Sequence, residues 1–393
     1  MCIMVVQQAI RQKRQLGQFF TENSDYILKN LGKYIKNKEV VDPFAGGGDL
    51  IAWARRNKAK KVIGYDIDNR CINGEDIFLN DSLLNSLKYK FVLTNPPYLN
   101  INKASKETKQ KYFSKFEFED LYQISLSSIL NSEEGIVIVP INFLSARNSK
   151  KIKDLFFHKF EIVEMNYFTH PVFSDTTNNV IAFYYKKKEN PLNDRFSIKT
   201  HIYPGNKIFN IKLKRSCSWN IHGDFLNIIK NQKNELGIYR LVEKDVDKEK
   251  GQIEIPIAHN HIEDTKTIKV SEDLYNKIKS NIIFLKAIDS GTENGKISLD
   301  DIRKHNVKCL VSKQSSRHMI YLILKEKIPI AKQKKIIDIF NQELNRMRDE
   351  YLSLFLTNYR DNDRKRVSFD FVYKFINYIY FNKINPVDNQ RLL

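Results

Sequence analysis

Short apolar runs alternate with amphipathic stretches across residues 39–190. Seven of these runs have the length and composition of buried strands: "VV" before "DPFAGGGDL", then "KVIGYDID", "DIFLND", "KFVLTNPPY", "EGIVIVPINF", "FEIVEMNYF" and "NVIAFYYKK". Helical patterns such as "LIAWARRNKA" and "DLYQISLSSIL" separate several of them. Strands that alternate with helices indicate an α/β fold, here a mostly parallel seven-stranded sheet with helices on both faces.

The pattern changes near Asn190, within the polar stretch "KKKENPLNDR". Beyond it the strand signals are shorter and less regular ("FSIKTHIY", "KIFNIKL", "GQIEIPI", "KCLVSKQ"), and the chain then becomes helical in "AKQKKIIDIFNQELNRMRDEYLSLFL" and "FDFVYKFINYIYF". A polar stretch with a proline between two different patterns is typical of a linker. We therefore predict two domains, an α/β domain over residues 1–190 and an α+β domain over residues 191–393.

Polar residues follow the predicted strands directly, and "DPFAGGGDL" places three glycines between a strand and a helix. The carboxyl ends of parallel strands share one rim, and ligands bind at that rim in sheets of this kind. Glycine lets the backbone approach a ligand closely, and the helix that follows offers free N–H groups. A tight turn without a ligand is the alternative, and the absence of a GxGxxG pattern argues against a dinucleotide site.

Two acidic residues are expected on the same rim. Asp66 comes 24 residues after Asp42, and an acid about 20 residues past a glycine-rich turn is where a ribose diol meets a carboxylate. An aspartate that only caps a turn is the alternative. Asp81 ends the third strand, with Asp76 as the alternative if the register of that strand differs.

The stretch "NPPY", residues 95–98, follows the fourth strand. Proline donates no ladder hydrogen bond and restricts the residue before it, so Asn95 must end the strand on a stiff backbone. Pro96 and Pro97 carry no N–H, which leaves the nearby carbonyls and the Asn95 amide oxygen available to an outside donor. An amino group with two hydrogens fits such acceptors, and the Tyr98 ring offers a flat apolar face beside them. An extended proline turn is the alternative.

The charge balance bears on the partner. Lys and Arg outnumber Asp and Glu by 65 to 46, which gives a net charge of +19. A positive excess of this size favours a polyanionic partner, most simply nucleic acid. A Lys-rich and Asn-rich composition that reflects an AT-rich genome is an equally good alternative.

Cysteine usage and hydropathy bear on the compartment. The four cysteines lack CxxC spacing, which argues against a zinc site or a disulfide framework and for a reducing compartment. No apolar run reaches about 18 residues, the length of a membrane span. The amino-terminal stretch "MCIMVVQQAIRQKRQ" has its apolar patch before its charges, the reverse of a secretory signal. We therefore expect a cytoplasmic protein, without a membrane span or a metal.

Taken in this order, the glycine turn, the ribose acid, the third acid and NPPY resemble the S-adenosylmethionine-dependent DNA adenine-N6 methyltransferases of restriction–modification systems. The resemblance is to members in which the cofactor motif precedes the catalytic motif and the target-recognition domain comes last. It extends over roughly residues 11–187 and includes "LGQFFTEN", "GIVIVPINFLS" and "HPVFSDTTNNVIAFYY". Two features depart from the family's pattern: the glycine turn begins with Asp-Pro, and the helix between the second and third strands is nearly absent.

The resemblance implies a Rossmann-like methyltransferase domain that binds S-adenosyl-L-methionine. The residues expected to contact this cofactor are Thr21, Asp42, Phe44, Ala45, Gly46, Gly48, Asp66, Ile67, Asp81, Asn95 and Pro97. Asp81 is expected to accept a hydrogen bond from the amino group of the cofactor's adenine. The residues expected to hold a flipped target adenine are Asn95, Pro96, Pro97, Tyr98 and Phe173, with the last two on opposite faces of the base.

The same resemblance makes residues 191–393 a DNA target-recognition domain and double-stranded DNA the partner. It also implies pairing with a restriction endonuclease, and we expect a monomer. The densest basic stretch there is "NYRDNDRKRVSFD", and its candidate DNA contacts are Arg360, Arg364, Lys365 and Arg366. A solvated loop is the alternative, because aspartates lie among these charges.

Three other functions stay open at this point. A cytosine-N4 methyltransferase uses the same chemistry, although that group usually resembles SPPY. A ribosomal-RNA or protein-glutamine methyltransferase also carries NPPY, but it does not require a basic carboxyl-terminal half of about 200 residues. An inactive methyltransferase-like module that only recognises DNA is the third, and the presence of Asp42, Asp66 and Asn95 argues against it.

Overall fold

The computed structural model describes residues 17, 21–173, 179–289, 295–358 and 364–386. It contains two compact units, and the first comprises the described residues up to Gly223 together with Asn358. The second comprises Asp224–Thr357 together with the described residues from Arg364 onward.

The first unit is built on a nine-stranded sheet. Its strands are β1 Glu39–Asp42, β2 Lys61–Asp66, β3 Ile77–Leu79, β4 Tyr89–Thr94, β5 Ser132–Pro140, β6 Phe160–Phe168, β7 Val180–Lys187, β8 Arg195–Tyr203 and β9 Lys207–Lys214. Their order across the sheet is β3-β2-β1-β4-β5-β7-β6-β8-β9. The pairings from β3 to β5 are parallel, and β7 runs antiparallel to both of its neighbours.

The helices of the first unit lie between these strands. They are α1 Ser24–Ile27, α2 Asp49–Arg56, α3 Lys106–Thr108, α4 Leu121–Ser128, α5 Asn142–Ser145 and α6 Lys150–Lys159. Shorter helical turns occur at Gly32–Tyr34, Asn69–Cys71, Ile101–Lys103, Lys109–Phe113, Arg147–Ser149 and Arg215–Cys217. Strands β2 and β3 are added on one side of β1, and β4 and β5 are added on its other side. The ends of β1 and β4 are therefore the switch point of the sheet.

The central strands are apolar because both of their faces are covered. All six residues from Gly135 to Pro140 in β5 are buried, and so are the first six residues of β7. Gly135 has a positional reason: a Cβ there would come within 2.4 Å of the Val92 carbonyl oxygen and 2.9 Å of the Tyr185 ring. The predicted α/β class is therefore confirmed for the first unit.

The second unit has shorter strands and longer helices. Its strands are β10 Tyr239–Arg240, β11 Ile253–His259, β12 His261–Val270, β13 Ile283–Lys286, β14 Ile288–Asp289, β15 Ser298–Asp301, β16 Cys309–Val311, β17 Met319–Ile323, β18 Thr357–Asn358 and β19 Lys365–Arg366. Its helices are α7 Gly223–Lys230, which starts at the boundary, α8 Glu243–Lys248, α9 Glu272–Lys279, α10 Ile330–Tyr351 and α11 Phe369–Ile379, with turns at Ile302–His305 and Tyr380–Ile384.

Two apolar clusters form the core of the second unit. One joins the buried residues of α10 and α11 to one face of the β13–β15–β17 sheet, and the other lies between β11, β16 and helix α9. This mixture of short mixed sheets and helices is an α+β arrangement, as the strand and helix signals predicted.

The first sheet differs from the prediction in size. It has nine strands rather than seven, because β8 pairs in parallel with β6 and β9 pairs antiparallel with β8. The change of pattern at Asn190 predicts a domain boundary before both strands, whereas this sheet continues to Lys214 and the first unit includes the chain up to Gly223. The polar stretch at 186–195 is thus a connection between two strands of one sheet.

Candidate active site

The glycine turn links the end of β1 to α2. Gly46 and Gly48 have φ values of 52° and 85°, in the left-handed region that favours glycine, and Gly48 is the residue before the helix. The turn also lies tightly against β2, since a Cβ on Gly64 would come within 2.6 Å of the Ala45 Cβ atom. The result is a strand end, a bare backbone and a helix amino terminus in one place, which is the arrangement that receives anionic or polar ligand groups.

Asp66 ties this turn to the end of β2. One of its carboxylate oxygens accepts from the Gly46 N–H and the other accepts from the Asp68 N–H, both at 2.8 Å. Burial raises the pKa of the Asp66 carboxyl group, and these two N–H groups oppose that rise. A carboxylate has about four acceptor positions, so two remain for hydroxyl groups of a ligand.

Asp42 is the most buried acid of the rim. Its Oδ1 atom accepts from the Phe44 N–H at 3.0 Å and from the Thr94 hydroxyl at 2.7 Å. Its Oδ2 atom has no hydrogen-bond partner among the described residues. Burial raises the pKa of the Asp42 carboxyl group to about 7, against the lowering effect of its two donors. A buried oxygen without a partner is costly, so Asp42 fits a site that a polar ligand group completes.

The register of β3 decides between the two acids near it. Asp76 precedes the strand, at the amino-terminal edge of the sheet, and forms an ion pair with Arg55. Asp81 follows the strand on the same rim as Asp42 and Asp66, where it accepts from the Tyr112 hydroxyl at 3.1 Å and pairs with Lys111 at 3.0 Å. Asp81 is therefore the residue of the two that lies on the rim.

Asn95 is held from both ends of its carboxamide. Its Nδ2 atom donates to the Thr21 hydroxyl oxygen at 3.1 Å, and its Oδ1 atom accepts from the Tyr98 hydroxyl at 2.6 Å. Asn95, Thr21 and Tyr98 are all buried. The Asn95 side chain is thereby oriented by a residue 74 positions earlier in the chain. Thr21, expected as a cofactor contact, accepts this hydrogen bond from the Asn95 amide in the structure.

The Tyr98 hydroxyl has two acceptors within reach. It lies 2.6 Å from Asn95 Oδ1 and 2.8 Å from the carbonyl oxygen of Ile138 in β5. A phenol has a single hydrogen to donate, so donation to Ile138 leaves Asn95 Oδ1 open to another donor. The Tyr98 backbone N–H also donates to the Gly17 carbonyl at 2.9 Å. Burial raises the pKa of the Tyr98 hydroxyl well above its usual value, so it stays a donor at neutral pH.

The remaining candidate residues occupy the same rim or lie near it. Pro96 is buried and Pro97 half-buried, and within the described chain no donor reaches the Pro96 carbonyl. Ala45 is buried in the glycine turn, and the turn also contains half-buried Phe44. Ile67 is half-buried just after β2. Phe173 is buried beyond the end of β6, and its stacking role stays a prediction.

The four candidate DNA contacts differ in how exposed they are in the structure. Arg360 lies outside the described residues, and Arg364 is exposed. Lys365 is only 6% exposed within β19, so it is not available on the surface as expected. Arg366 is half-buried, and burial lowers the pKa of its guanidinium, as does the charge of Arg317.

Some residues of the site were not expected from the sequence. Thr94 donates to Asp42, and Asp120 accepts from the Asn100 side chain at 3.1 Å just beyond the NPPY stretch. Burial raises the pKa of the Asp120 carboxyl group to about 6. Asp120 also forms a capping box with Gln123 at the start of α4. The local signal for this role was the D-x-x-Q spacing before an apolar helix.

In the part of the chain that the structure describes, no cluster of three His, Cys, Asp or Glu residues has the arrangement of a metal site. The same residues contain no helix with the length and apolar character needed to cross a bilayer.

Comparison with known proteins gives one curated relative and a set of similar folds. No protein-family model matches the chain. A protein from Methanocaldococcus jannaschii named as an N5-glutamine methyltransferase is 32% identical over 110 residues, which cover 25% of this chain and 54% of the relative. The chain thus spans about half the length of that relative.

Among solved structures, the Type IIL restriction–modification enzyme MmeI in complex with DNA is similar over 94% of this chain and 65% of its own, with a TM-score of 0.51 and 12% identity. This likeness concerns the fold. The chain therefore has an α/β fold of the kind found in a restriction–modification enzyme, with a further region after the large sheet.

Proposed function

We propose that this chain is a site-specific DNA methyltransferase that transfers a methyl group from S-adenosyl-L-methionine to the N6 atom of adenine. The observation that carries the proposal is the buried Asn95 carboxamide, fixed by Thr21 at one end and by Tyr98 at the other, at the switch point of the sheet. Pairing with a restriction endonuclease is part of the same proposal, supported by the fold shared with MmeI.

The rim suits S-adenosyl-L-methionine. Asp66 retains acceptor positions for the two ribose hydroxyls, and the glycine turn leaves room beside the start of α2. Asp81 lies beyond β3 as an acceptor for the adenine amino group, and the unpartnered Oδ2 atom of Asp42 suits a polar group nearby. The cofactor would supply a methyl group activated by its positively charged sulfur and would leave as neutral S-adenosyl-L-homocysteine, and the methylated N6 would release one proton to solvent.

Asn95 and Pro96 supply the chemistry that the chain adds. Adenine N6 is a weak nucleophile because its lone pair is delocalised into the ring. Hydrogen bonds from its two hydrogens to Asn95 Oδ1 and to the Pro96 carbonyl favour a pyramidal nitrogen, and these acceptors stabilise the positive charge that develops there. The Tyr98 hydroxyl can turn to Ile138 when N6 occupies Asn95 Oδ1, so neither acceptor loses its donor.

Duplex DNA hides N6 inside the base stack, so the target adenine must flip out to reach Asn95. The rings of Tyr98 and Phe173 are the proposed stacking partners for the flipped base, and such stacking offsets part of the unstacking cost. Positioning accounts for the catalysis here, and no protein nucleophile takes part.

A protein-glutamine methyltransferase is the second candidate, because the matched relative carries that name. A glutamine side-chain amide also presents two hydrogens to a pair of acceptors such as Asn95 Oδ1 and the Pro96 carbonyl. The net charge of +19 favours DNA.

The test is transfer of a labelled methyl group to duplex DNA, RNA and protein in parallel, followed by digestion of each product. We expect label in DNA as N6-methyldeoxyadenosine, with Asn95→Ala as the inactive control. Label in N4-methylcytosine, in RNA or in glutamine would each contradict the proposal and identify the other substrate.

A further inference from the structure

Two arginines of the second unit lie over the ring of Phe369. The Arg240 guanidinium carbon is 5.2 Å from the ring centroid, and that of Arg317 is 5.7 Å away. Arg240 ends β10, Arg317 precedes β17, and Phe369 is the first residue of α11. Three segments distant in sequence thus bring two cations to one aromatic ring, and cation–π attraction stabilises both.

Backbone carbonyls fix the orientation of the same two side chains. Arg240 donates to the Ser316 carbonyl at 3.2 Å and to the Gln314 carbonyl at 2.9 Å. Arg317 donates to the same two carbonyls, at 2.9 Å and 3.2 Å. A guanidinium has five N–H donors, so at least three on each arginine remain for an outside acceptor. The two groups are therefore preorganised while most of their donors stay available.

The positive charges of Arg240 and Arg317 are not neutralised by ion pairs within the described residues. Within the described ranges, none of Arg240, Arg317 and Arg364 forms an ion pair with an acid. The crowding has consequences for its neighbours: the charge of Arg317 adds to burial in lowering the pKa of Arg366. Burial, His261 and Arg364 likewise lower the pKa of His318, against the effect of Glu263. Like charges held together favour a bound anion.

Three other arginines of the second unit form ion pairs. Arg303 pairs with Asp301, Arg346 with Glu343 and Glu350, and Arg348 with Asp289. Pairing is thus available to arginines elsewhere in the unit. Arg240 and Arg317, over the Phe369 ring, instead have no ion pair among the described residues, and the exposed residues Lys313, Gln314 and Ser315 precede Arg317 in the chain.

We propose that Arg240 and Arg317, held on the Phe369 ring, form with Arg364 a surface that binds the phosphate backbone of duplex DNA. The choice of DNA as the polyanion rests on the function proposed above. Arginine suits this role because its planar fork of donors matches the oxygens of a phosphate. Lys365, one of the expected DNA contacts, is buried, and Arg240 and Arg317 from elsewhere in the chain take its place in this surface.

The test measures binding of a fluorescent duplex of mixed sequence by anisotropy, without cofactor, at 50 and 200 mM salt. The variants are Arg240→Gln, Arg317→Gln and their combination, which keep most of the side-chain length. Arg346→Gln is the matched control, since it removes one charge from the same unit at a residue paired with two acids. Thermal midpoints of all variants check that each is folded.

Each lost phosphate contact lowers the slope of log affinity against log salt by about 0.9. A single variant should therefore lose about 3.5-fold more affinity at 50 mM than at 200 mM salt, and the double variant correspondingly more. Arg346→Gln should keep the wild-type slope. Equal slopes for the two arginine variants and the control would overturn the proposal, as would an absence of duplex binding by the wild type.

Methyl transfer separates this inference from the proposed function. If the wild type methylates adenine and the arginine variants bind DNA normally, the proposed DNA-binding surface is wrong and the enzyme assignment stands. If the arginine variants lose duplex binding and the wild type methylates another substrate, the DNA-binding surface is supported and the enzyme assignment is wrong.

Discussion

Thr21→Val tests whether Thr21 positions Asn95 or contacts the cofactor. Valine has nearly the same shape but lacks the hydroxyl oxygen that accepts the Asn95 Nδ2 hydrogen bond at 3.1 Å. A buried donor left without its partner costs about 1–3 kcal/mol. If the Asn95 carboxamide then loses its fixed orientation, the methyl-transfer step should slow by about 5- to 150-fold, at 1.36 kcal/mol for each factor of ten.

The assay is single-turnover methyl transfer with a double-mutant cycle. Thr21→Val, Asn95→Ala and the double variant are compared with the wild type, and cofactor affinity is measured separately by calorimetry. Because Thr21 is expected to act through Asn95, its substitution should have almost no further effect in the Asn95→Ala background. Independent, additive effects, or a loss confined to cofactor affinity, would refute the positioning role of Thr21.

Three other substitutions have clear expectations. Tyr98→Phe removes the single hydroxyl hydrogen that lies within reach of both Asn95 Oδ1 and the Ile138 carbonyl, so the free energy of unfolding in urea should fall by about 1–3 kcal/mol; an unchanged unfolding midpoint would contradict a stabilising role of this hydrogen bond. Asp66→Ala should weaken S-adenosylmethionine binding in calorimetry, and unaltered affinity would remove Asp66 from the site. Burial raises the pKa of Asp42 to about 7, above the value near 4 expected in the unfolded chain. The stability that this difference contributes is fully present below pH 4 and is lost as the pH rises through 7. Asp42→Asn should therefore gain stability relative to the wild type between pH 5 and pH 8, and a constant difference would contradict that pKa.

The rim of the site was predictable because each of its residues ends a strand. The apolar runs located β1, β2, β3 and β4, and a parallel sheet gathers their carboxyl ends on one side. The rim positions of Asp42, Asp66 and Asn95 thus follow from local pattern and strand direction alone. The choice of Asp81 over Asp76 needed the observed register of β3.

The extent of the sheet was not predictable from the same pattern. The alternation in β8 and β9 indicates one buried face, but it does not say which sheet receives the strand. In the structure β8 aligns Glu164 of β6 with Lys199, and this pairing extends the first sheet past the polar connection.

Side-chain contacts between distant segments were also beyond the sequence. Thr21 and Asn95 are 74 residues apart, and Arg240, Arg317 and Phe369 come from three separate elements. Lys365 was expected on the surface but is buried, because a lysine in a charged stretch can bury its side chain when its strand pairs inside a unit.

The central claim, that Asn95 holds a flipped adenine for methyl transfer, is tested most directly by single-turnover transfer with Asn95→Ala. The methylated site is first mapped by sequencing wild-type-modified DNA, and a duplex with one such site is the substrate. Removal of one group that acts on the transition state lowers the rate about 10²–10³-fold, and we expect at least that loss with cofactor affinity unchanged. Transfer by Asn95→Ala at the wild-type rate would contradict the account.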